Sequence, residues 1–160
     1  MRILSLAALG ALLIAPILSV RAAENTALGT WKTIDDDSHE AKALVEIAEH
    51  DGVLSGRIVQ LFRKPGEEPD PVCKKCEGER HGQRVIGMTI LTGMRRDGDV
   101  WDGGEILDPE EGKTYRCKLH PTADGRKLEV RGFIGISLLG RTQVWERAED
   151  DANANAPKQP

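Results

Sequence analysis

Two of the three cysteines in this 160-residue chain, Cys73 and Cys76, have a C-x-x-C spacing within the stretch DPVCKKCEGERHGQ. Such a pair can form a redox dithiol, part of a zinc site or a structural disulfide. A redox dithiol requires its first thiolate at the N-terminus of a helix, where the helix dipole lowers the thiol pKa. The residues that follow include Gly78 and Gly82 and have no helical pattern. The sequence therefore disfavours redox catalysis.

A zinc site would combine both cysteines with Cys117 and His81 in a tetrahedral set. The sequence has no second closely spaced pair, and an oxidising compartment would convert free thiols to a disulfide. The chain-entropy model favours a long bridge to Cys117, at about 4 kcal/mol, over the local ring, at about 2 kcal/mol. Cys117, however, shares a strand face with apolar neighbours and can be buried as a free thiol. We predict a Cys73–Cys76 disulfide, with Cys117 free or an alternative partner.

Other residues that could do chemistry favour structural roles. The acidic and basic side chains of DPEEGK (108–113) lie in a predicted turn, where Asp-Pro and Gly are preferred for backbone reasons. The four histidines are scattered, and the sequence contains no G-x-S-x-G, H-E-x-x-H or phosphate-binding glycine loop. We therefore predict no catalytic set, no metal site and no cofactor.

The N-terminus has the pattern of a cleaved secretory signal peptide. Arg2 precedes an apolar run over residues 3–20, and Val20 and Ala22 occupy positions −3 and −1 before Ala23. A glycine and a proline inside the run disfavour the alternative, an uncleaved membrane anchor. We predict that residues 1–22 are a signal peptide and that the mature protein is soluble, periplasmic and without an integral membrane segment.

The charge pattern excludes some partners. Without residues 1–22 the chain has 20 basic and 26 acidic side chains, a net charge of −6, with the two signs interspersed. No basic stripe is present to bind phosphates, which argues against nucleic acid and anionic membrane surfaces as partners. The length allows a single domain, predicted at 23–147, followed by a disordered polar tail at 148–160.

Strand-like segments separated by Gly/Asp turns indicate an all-β fold. The eight predicted strands are 28–33, 43–50, 53–62, 85–94, 100–107, 114–120, 127–135 and 138–147. A helix beginning near Asp37 is an alternative, but the apolar alternation and the following Asp-Gly favour a strand hairpin. Hairpin connections throughout, with one long loop at 63–84 between strands 3 and 4, predict a single eight-stranded antiparallel up-and-down barrel rather than a sandwich.

Barrel closure would make the first and last strands neighbours. Gly29 and Trp31 open the first strand, and Arg141 lies in the last, so its guanidinium could stack on the Trp31 indole. This pair resembles the Gly-x-Trp and C-terminal arginine of lipocalins.

A broader resemblance covers nearly all of residues 28–147. The blocks GTWKT, DPVCKKCEGE, VIGMTIL, GGEILDPEEGKTYRCKL and LEVRGFIGISLLGRTQVWER together resemble the secreted bacterial family of domain of unknown function 2147. This resemblance implies a periplasmic, lipocalin-like barrel and implies no known reaction. The chain is shorter than true lipocalins and lacks their mid-chain Thr-Asp-Tyr motif.

A small eight-stranded barrel can be filled by its own side chains or can hold one small ligand. We expect a non-enzymatic binding module that takes a small, partly apolar or amphipathic ligand at the barrel mouth, gated by the long loop. The weak ligand-binding candidates are Trp31, Trp101, Arg131 and Phe133. Alternation places Arg131 on one face with Phe133; we favour an exposed face, whereas an inward face would let Arg131 bind an acidic head group. The alternative is a filled-core structural or interaction protein of the cell envelope. An open cavity lined by Trp or Arg would favour the binding module.

Overall fold

The computed structural model describes residues 26–148, which form eight β-strands and two single-turn 3-10 helices. The predicted signal peptide, residues 1–22, and all but the first residue of the predicted tail lie outside the described residues. The strands are β1 (Gly29–Ile34), β2 (Ala41–His50), β3 (Val53–Leu61), β4 (Thr89–Asp97), β5 (Val100–Asp108), β6 (Lys113–Pro121), β7 (Lys127–Phe133) and β8 (Arg141–Arg147). The 3-10 turns are Gly78–Arg80 and Ser137–Leu139.

Each strand pairs antiparallel with the next, and β1 pairs with β8, which closes the barrel. The predicted all-β, eight-stranded up-and-down barrel is therefore confirmed. β2 is a strand, so the alternative of a helix near Asp37 is wrong. Two strands begin three or more residues later than predicted. β4 begins at Thr89 because residues 85–88 form a turn in which Met88 N donates to Val85 O at 3.2 Å. β8 begins at Arg141 because the 3-10 turn occupies 137–139.

The alternating strand directions give the barrel two different ends. Tight turns connect β2 to β3, β4 to β5 and β6 to β7 at one end, here called the closed end. The β2–β3 turn is the predicted Asp-Gly hairpin, in which Asp51 (φ 51°) and Gly52 (φ 75°) both have positive φ. The opposite, open end carries the connections 35–40, 62–88, 109–112 and 134–140.

Large apolar side chains fill the closed half of the barrel. The buried residues there include Trp31, Leu54, Met94, Trp101, Leu119 and Leu128. Gly104 makes room for this packing, since a Cβ at that position would overlap the Met94 sulfur. This half has the dense apolar core that the filled-barrel alternative predicts.

The closed end is sealed by Trp31 and Arg147. The Arg147 guanidinium lies 4.1 Å from the Trp31 ring centroid and donates to the carbonyl oxygens of Leu28 at 2.9 Å and Thr26 at 2.7 Å. The Trp31 indole N–H donates to Ala27 O at 2.8 Å. Gly29 has φ +107°, and a Cβ there would lie 3.0 Å from Arg147 Nη1. The Gly-x-Trp pattern therefore reflects space for the arginine.

The predicted partner of Trp31, Arg141, was the wrong arginine. β8 runs antiparallel to β1 with Trp31 opposite Arg147, so Arg141, six residues earlier, lies about 20 Å away at the open end. There Arg141 forms an ion pair with Asp36. Both arginines share one face of β8, and only the strand register decides which of them meets the tryptophan.

We predict that Arg147→Ala lowers the free energy of unfolding by about 3 kcal/mol, because the substitution removes the cation–π contact and leaves several carbonyls without a donor. The matched variant Arg141→Ala loses an exposed ion pair and should cost less than about 1 kcal/mol. Urea unfolding of both variants measures the difference. Equal losses would show that Arg147 does not hold the closed end together.

Candidate functional site

The open half of the barrel contains a cavity of about 1080 Å³ that opens to solvent between the four connections. Its deep walls are mostly apolar, from all parts of the sheet: Ala43, Val45, Ile58, Ile90, Leu107, Val130 and Trp145. Small residues create this space. Ala43 and Gly132 line the cavity, whereas inward-facing positions in the closed half carry large side chains such as Trp31 and Met94. The barrel is thus filled in one half and hollow in the other.

Charged residues of both signs surround the mouth, and many of them form ion pairs with each other. Lys42 Nζ lies 2.6 Å from Glu110 Oε2 and 3.6 Å from Asp35 Oδ2, and Lys64 pairs with Glu40 at 2.7 Å. Partial burial alone would lower the pKa of Lys42, but the hydrogen bond and charge of Glu110, with help from Asp35, raise it above its usual value. The mouth is therefore polar and locally compensated in charge.

Asp35 also organises the β1–β2 connection. Its carboxylate accepts hydrogen bonds from Ser38 N at 2.8 Å and Ser38 Oγ at 2.9 Å, which lower the pKa of Asp35 to about 2. Because the folded-state pKa lies below the unfolded value, this contribution to stability is complete above about pH 4 and is lost as the pH falls toward 2. The turn that forms this side of the mouth thus keeps its shape at neutral pH.

Two polar side chains, Tyr115 and Gln143, line the cavity, and Gln143 connects the mouth to Trp145 in the apolar depth. Tyr115 Oη donates to Glu111 Oε2 at 2.8 Å, and this hydrogen bond lowers the pKa of Glu111 and raises the pKa of Tyr115. Gln143 Nε2 donates to Asp36 Oδ2 at 3.2 Å, and Trp145 Nε1 donates to Gln143 Oε1 at 3.4 Å. These groups could form hydrogen bonds with a bound molecule just below the rim.

The long connection 62–88 forms one wall of the mouth and is itself well ordered by hydrogen bonds. Cys73 N donates to Gln83 O at 2.8 Å, Gly82 N to Cys73 O at 2.9 Å, and Val85 N to Pro71 O at 2.8 Å. Cys73 and Cys76 form a disulfide with a Cα–Cα distance of 5.5 Å. The cysteine pair therefore braces a loop, which is the structural role that the sequence favours.

This loop packs onto the β5–β6 turn across the mouth. Cys73 Sγ lies 3.2 Å from Pro109 O. Gly112 has φ +70°, and a Cβ at this position would overlap the carbonyl group of Lys75. The close approach of two backbones thus requires a glycine at 112.

We predict that Gly112→Ala separates the long loop from the β5–β6 turn. Gly98→Ala is the matched control, because Gly98 also has positive φ (+61°) but no neighbour within 4 Å of the added Cβ. Both variants should lose about 1–2 kcal/mol from backbone strain, and only Gly112→Ala should also speed tryptic cleavage within 63–84. Equal cleavage rates for the two variants would contradict this role of Gly112.

The third cysteine, Cys117, is buried in the barrel wall and free. Burial, with a smaller effect of the Asp102 charge, raises the pKa of the Cys117 thiol to about 12. The thiolate that reacts with alkylating agents is therefore both rare and inaccessible in the folded protein.

We predict that N-ethylmaleimide at pH 8 leaves the folded protein unlabelled, since Cys117 is protonated and inaccessible. Unfolding without reductant should give one adduct, and unfolding after reduction should give three, as read from the intact mass. Two adducts on the folded, unreduced protein would contradict the Cys73–Cys76 pairing.

The structure separates the four sequence-predicted ligand candidates. Trp31 and Trp101 are buried in the closed half, where Arg96 lies 5.7 Å from the Trp101 ring centroid. Arg131 faces outward and donates through Nε to Ser137 O at 2.8 Å. Phe133 lies at the rim of the cavity, with the Arg116 guanidinium 5.4 Å from its ring centroid. Of the four, only Phe133 borders the cavity.

Sequence reasoning missed Trp145, Gln143, Tyr115 and Lys42, which do line the cavity. The pattern of β8 contains part of the information, because Arg141, Gln143, Trp145 and Arg147 alternate onto one face. That alternation shows a shared face but not its height in the barrel, which depends on the pairing with β1 and β7.

Within residues 26–148, no three His, Cys, Asp or Glu side chains are grouped closely enough to hold a metal ion. The helices of this same region are too short to cross a membrane. His81, the fourth ligand of the zinc alternative, contacts Cys76 O through Nδ1 at 3.0 Å, and both cysteines beside it are in the disulfide. The alternative zinc set is thus not assembled.

Comparison with known proteins places this geometry in context. No curated protein matches the chain. A solved structure described as "Protein HP1028 from the human pathogen Helicobacter pylori belongs to the lipocalin family" is similar, with a TM-score of 0.67 and 20% identity over 80% of this chain and 86% of that chain. At this identity the similarity shows a shared lipocalin-like fold. The family model described as an uncharacterized protein conserved in bacteria (DUF2147) matches residues 29–147, and the chain therefore belongs to the DUF2147 family.

Proposed function

We propose that this protein is an exported, non-enzymatic binding module for a small molecule with an apolar body and a polar end. The observation that carries the proposal is the open cavity of about 1080 Å³ with apolar walls and a polar mouth. Cavities of about 300–1,000 Å³, mostly apolar with a few placed polar groups, are typical of small-molecule sites. The lipocalin-like fold supports the same function.

The distribution of polarity sets the orientation of the ligand. Val45, Ile58, Val130 and Trp145 surround the deep part of the cavity, so an apolar chain or ring would be desolvated there. The mouth carries charges that already form ion pairs, such as Lys42 with Glu110. An uncharged or zwitterionic polar end, lying near this pair, therefore fits better than a single strong charge.

The long loop is the proposed gate. The disulfide and the contact of Cys73 with Pro109 hold it against the β5–β6 turn, so the distance between these two segments limits the width of the mouth. Movement of this loop would require that contact to open.

Export to the periplasm is part of the proposal. Its support is the signal-peptide pattern of residues 1–22, together with a disulfide, a bond typical of oxidising compartments.

The filled-core interaction protein is the second candidate. The dense packing around Trp31, Met94 and Trp101 favours it for the closed half of the barrel. The hollow open half is unexplained by that function, because a structural barrel gains stability when it is filled.

Native mass spectrometry of the full-length gene product, isolated from the periplasm without denaturant, tests the proposal. We expect a chain that begins at Ala23 and a mass excess that disappears on denaturation. After the resident ligand has been removed by denaturation and refolding, the neutral apolar probe N-phenyl-1-naphthylamine should bind with enhanced fluorescence and quench tryptophan emission, to which Trp145 contributes from the cavity wall.

A filling variant tests the location of the site. Ala43→Phe places a ring in the cavity, whereas Ala48→Phe places the same ring on the outer face of the same strand, since Ala43 is buried and Ala48 is exposed. We expect Ala43→Phe to weaken probe binding at least tenfold and Ala48→Phe to leave it unchanged, with both variants folded by circular dichroism. A wild type that carries no ligand and binds no probe would overturn the binding function.

A further inference from the structure

The connection between β7 and β8, residues 134–140 (IGISLLG), exposes a cluster of aliphatic side chains at the open end of the barrel. Its four large residues, here called the aliphatic loop cluster, are Ile134 (72% exposed), Ile136 (61%), Leu138 (82%) and Leu139 (79%). The loop itself contains no charged residue. Exposed apolar groups of this kind mark interaction sites on folded proteins.

The loop backbone is held in place by internal hydrogen bonds. Arg131 Nε donates to Ser137 O at 2.8 Å and its Nη2 to Leu138 O at 3.2 Å. Leu139 N donates to Ile136 O at 3.2 Å, and Gly140 N donates to Ser137 O at 3.1 Å. The carbonyl oxygens of residues 136–138 therefore all accept hydrogen bonds from within the protein. Backbone groups that enter an apolar solvent need such internal partners. The aliphatic side chains are left pointing outward.

Three arginines stand behind the aliphatic loop cluster. Arg131 braces the tip and also donates to Thr142 Oγ1 at 2.7 Å, Arg116 stacks on Phe133 at 5.4 Å, and Arg141 follows the loop directly. An aliphatic tip with arginines on the adjoining strands suits a lipid leaflet, in which phosphates lie above the acyl chains, although Arg141 is also paired with Asp36.

We propose that the aliphatic loop cluster docks the open end of the barrel onto a lipid surface. A second copy of the chain is a poorer occupant, because four aliphatic side chains present about 400 Å², half of the roughly 800 Å² per partner in a stable interface. Residues 149–160 are a poor cover, since they contain no apolar residue larger than alanine and proline and follow β8 at the closed end. A lipid surface can bind a small apolar cluster without having a shape complementary to it.

Docking in this way would place the cavity mouth at the lipid surface, since Ile134, Leu139 and Gly140 also line the rim of the cavity. The net charge of −6 expected for the mature chain opposes attraction to anionic lipids, so the aliphatic contact has to supply the affinity. The inference goes beyond the proposed function, because surface docking is measured without any ligand in the cavity.

Flotation with phospholipid vesicles tests the inference. The mature protein is mixed with vesicles of phosphatidylethanolamine and phosphatidylglycerol, and separately with vesicles of phosphatidylcholine alone. We expect the wild type to float with both. Leu138→Ser/Leu139→Ser should bind at least tenfold more weakly, because each buried aliphatic side chain changes a partition coefficient by roughly tenfold.

The control is Val59→Ser/Val144→Ser, which removes two exposed aliphatic side chains from β3 and β8 (36% and 42% exposed) and should bind like the wild type. Urea unfolding verifies that both variants are folded, and N-phenyl-1-naphthylamine binding reports the cavity independently of flotation. A wild type that fails to float, or a control that loses as much binding as the loop variant, would overturn docking. So would sedimentation velocity that shows a wild-type dimer and a monomeric loop variant, since the occupant would then be a second copy.

Discussion

The contact between Arg147 and Trp31 is the constraint on which the rest of this barrel depends. The seam between β1 and β8 has the shortest register among the described strand pairs: Trp31 lies opposite Arg147 and Lys32 opposite Glu146, and Ala148 N donates to Thr30 O at 3.0 Å. The Arg147 guanidinium strengthens this short seam, because it covers the Trp31 indole and donates hydrogen bonds to carbonyl oxygens of the N-terminal segment. Asp36 joins the same seam at the open end through Arg141 and Gln143. With the seam closed, every strand has two hydrogen-bonded neighbours and the interior becomes a single enclosed space.

How that space is used depends on side-chain size along the strands. Tryptophans, leucines and Met94 fill the closed half, whereas Ala43, Val45, Val130 and Gly132 leave the open half hollow. The mouth does not collapse over the hollow half because its charged groups, among them Lys42 and Glu110, would lose hydration if they moved inward. Their mutual ion pairs keep them at the rim. The dense core of the closed half thus stabilises the barrel, whereas the cavity in the open half contributes little to its stability.

Two long connections shape the mouth, and polar contacts hold both of them. The loop 62–88 is closed by its disulfide and packs on the β5–β6 turn at Gly112. The loop 134–140 is held by Arg131, whose donors satisfy its carbonyls. In each case backbone groups of the loop take part in the hydrogen bonds that hold it. The loop 62–88 contributes three lysines and Pro71 to the cavity wall, and the loop 134–140 exposes aliphatic side chains.

The sequence by itself determined the strands, the hairpin turns and the barrel, because apolar alternation and Asp-Gly turns are local properties that survive without tertiary information. It also favoured the local cysteine pair because Cys117 shares a strand face with apolar neighbours, and Cys117 is indeed buried and free. It did not determine which arginine meets Trp31, since Arg141 and Arg147 share one face of β8 and only the register with β1 separates them. For the same reason it named Trp31 and Trp101 as ligand candidates in place of Trp145.

Alternation tells which face of the sheet a residue occupies, whereas its height along the barrel axis depends on pairing between distant strands. The division into a filled half and a hollow half, and therefore the candidate site, was decided only by the tertiary structure.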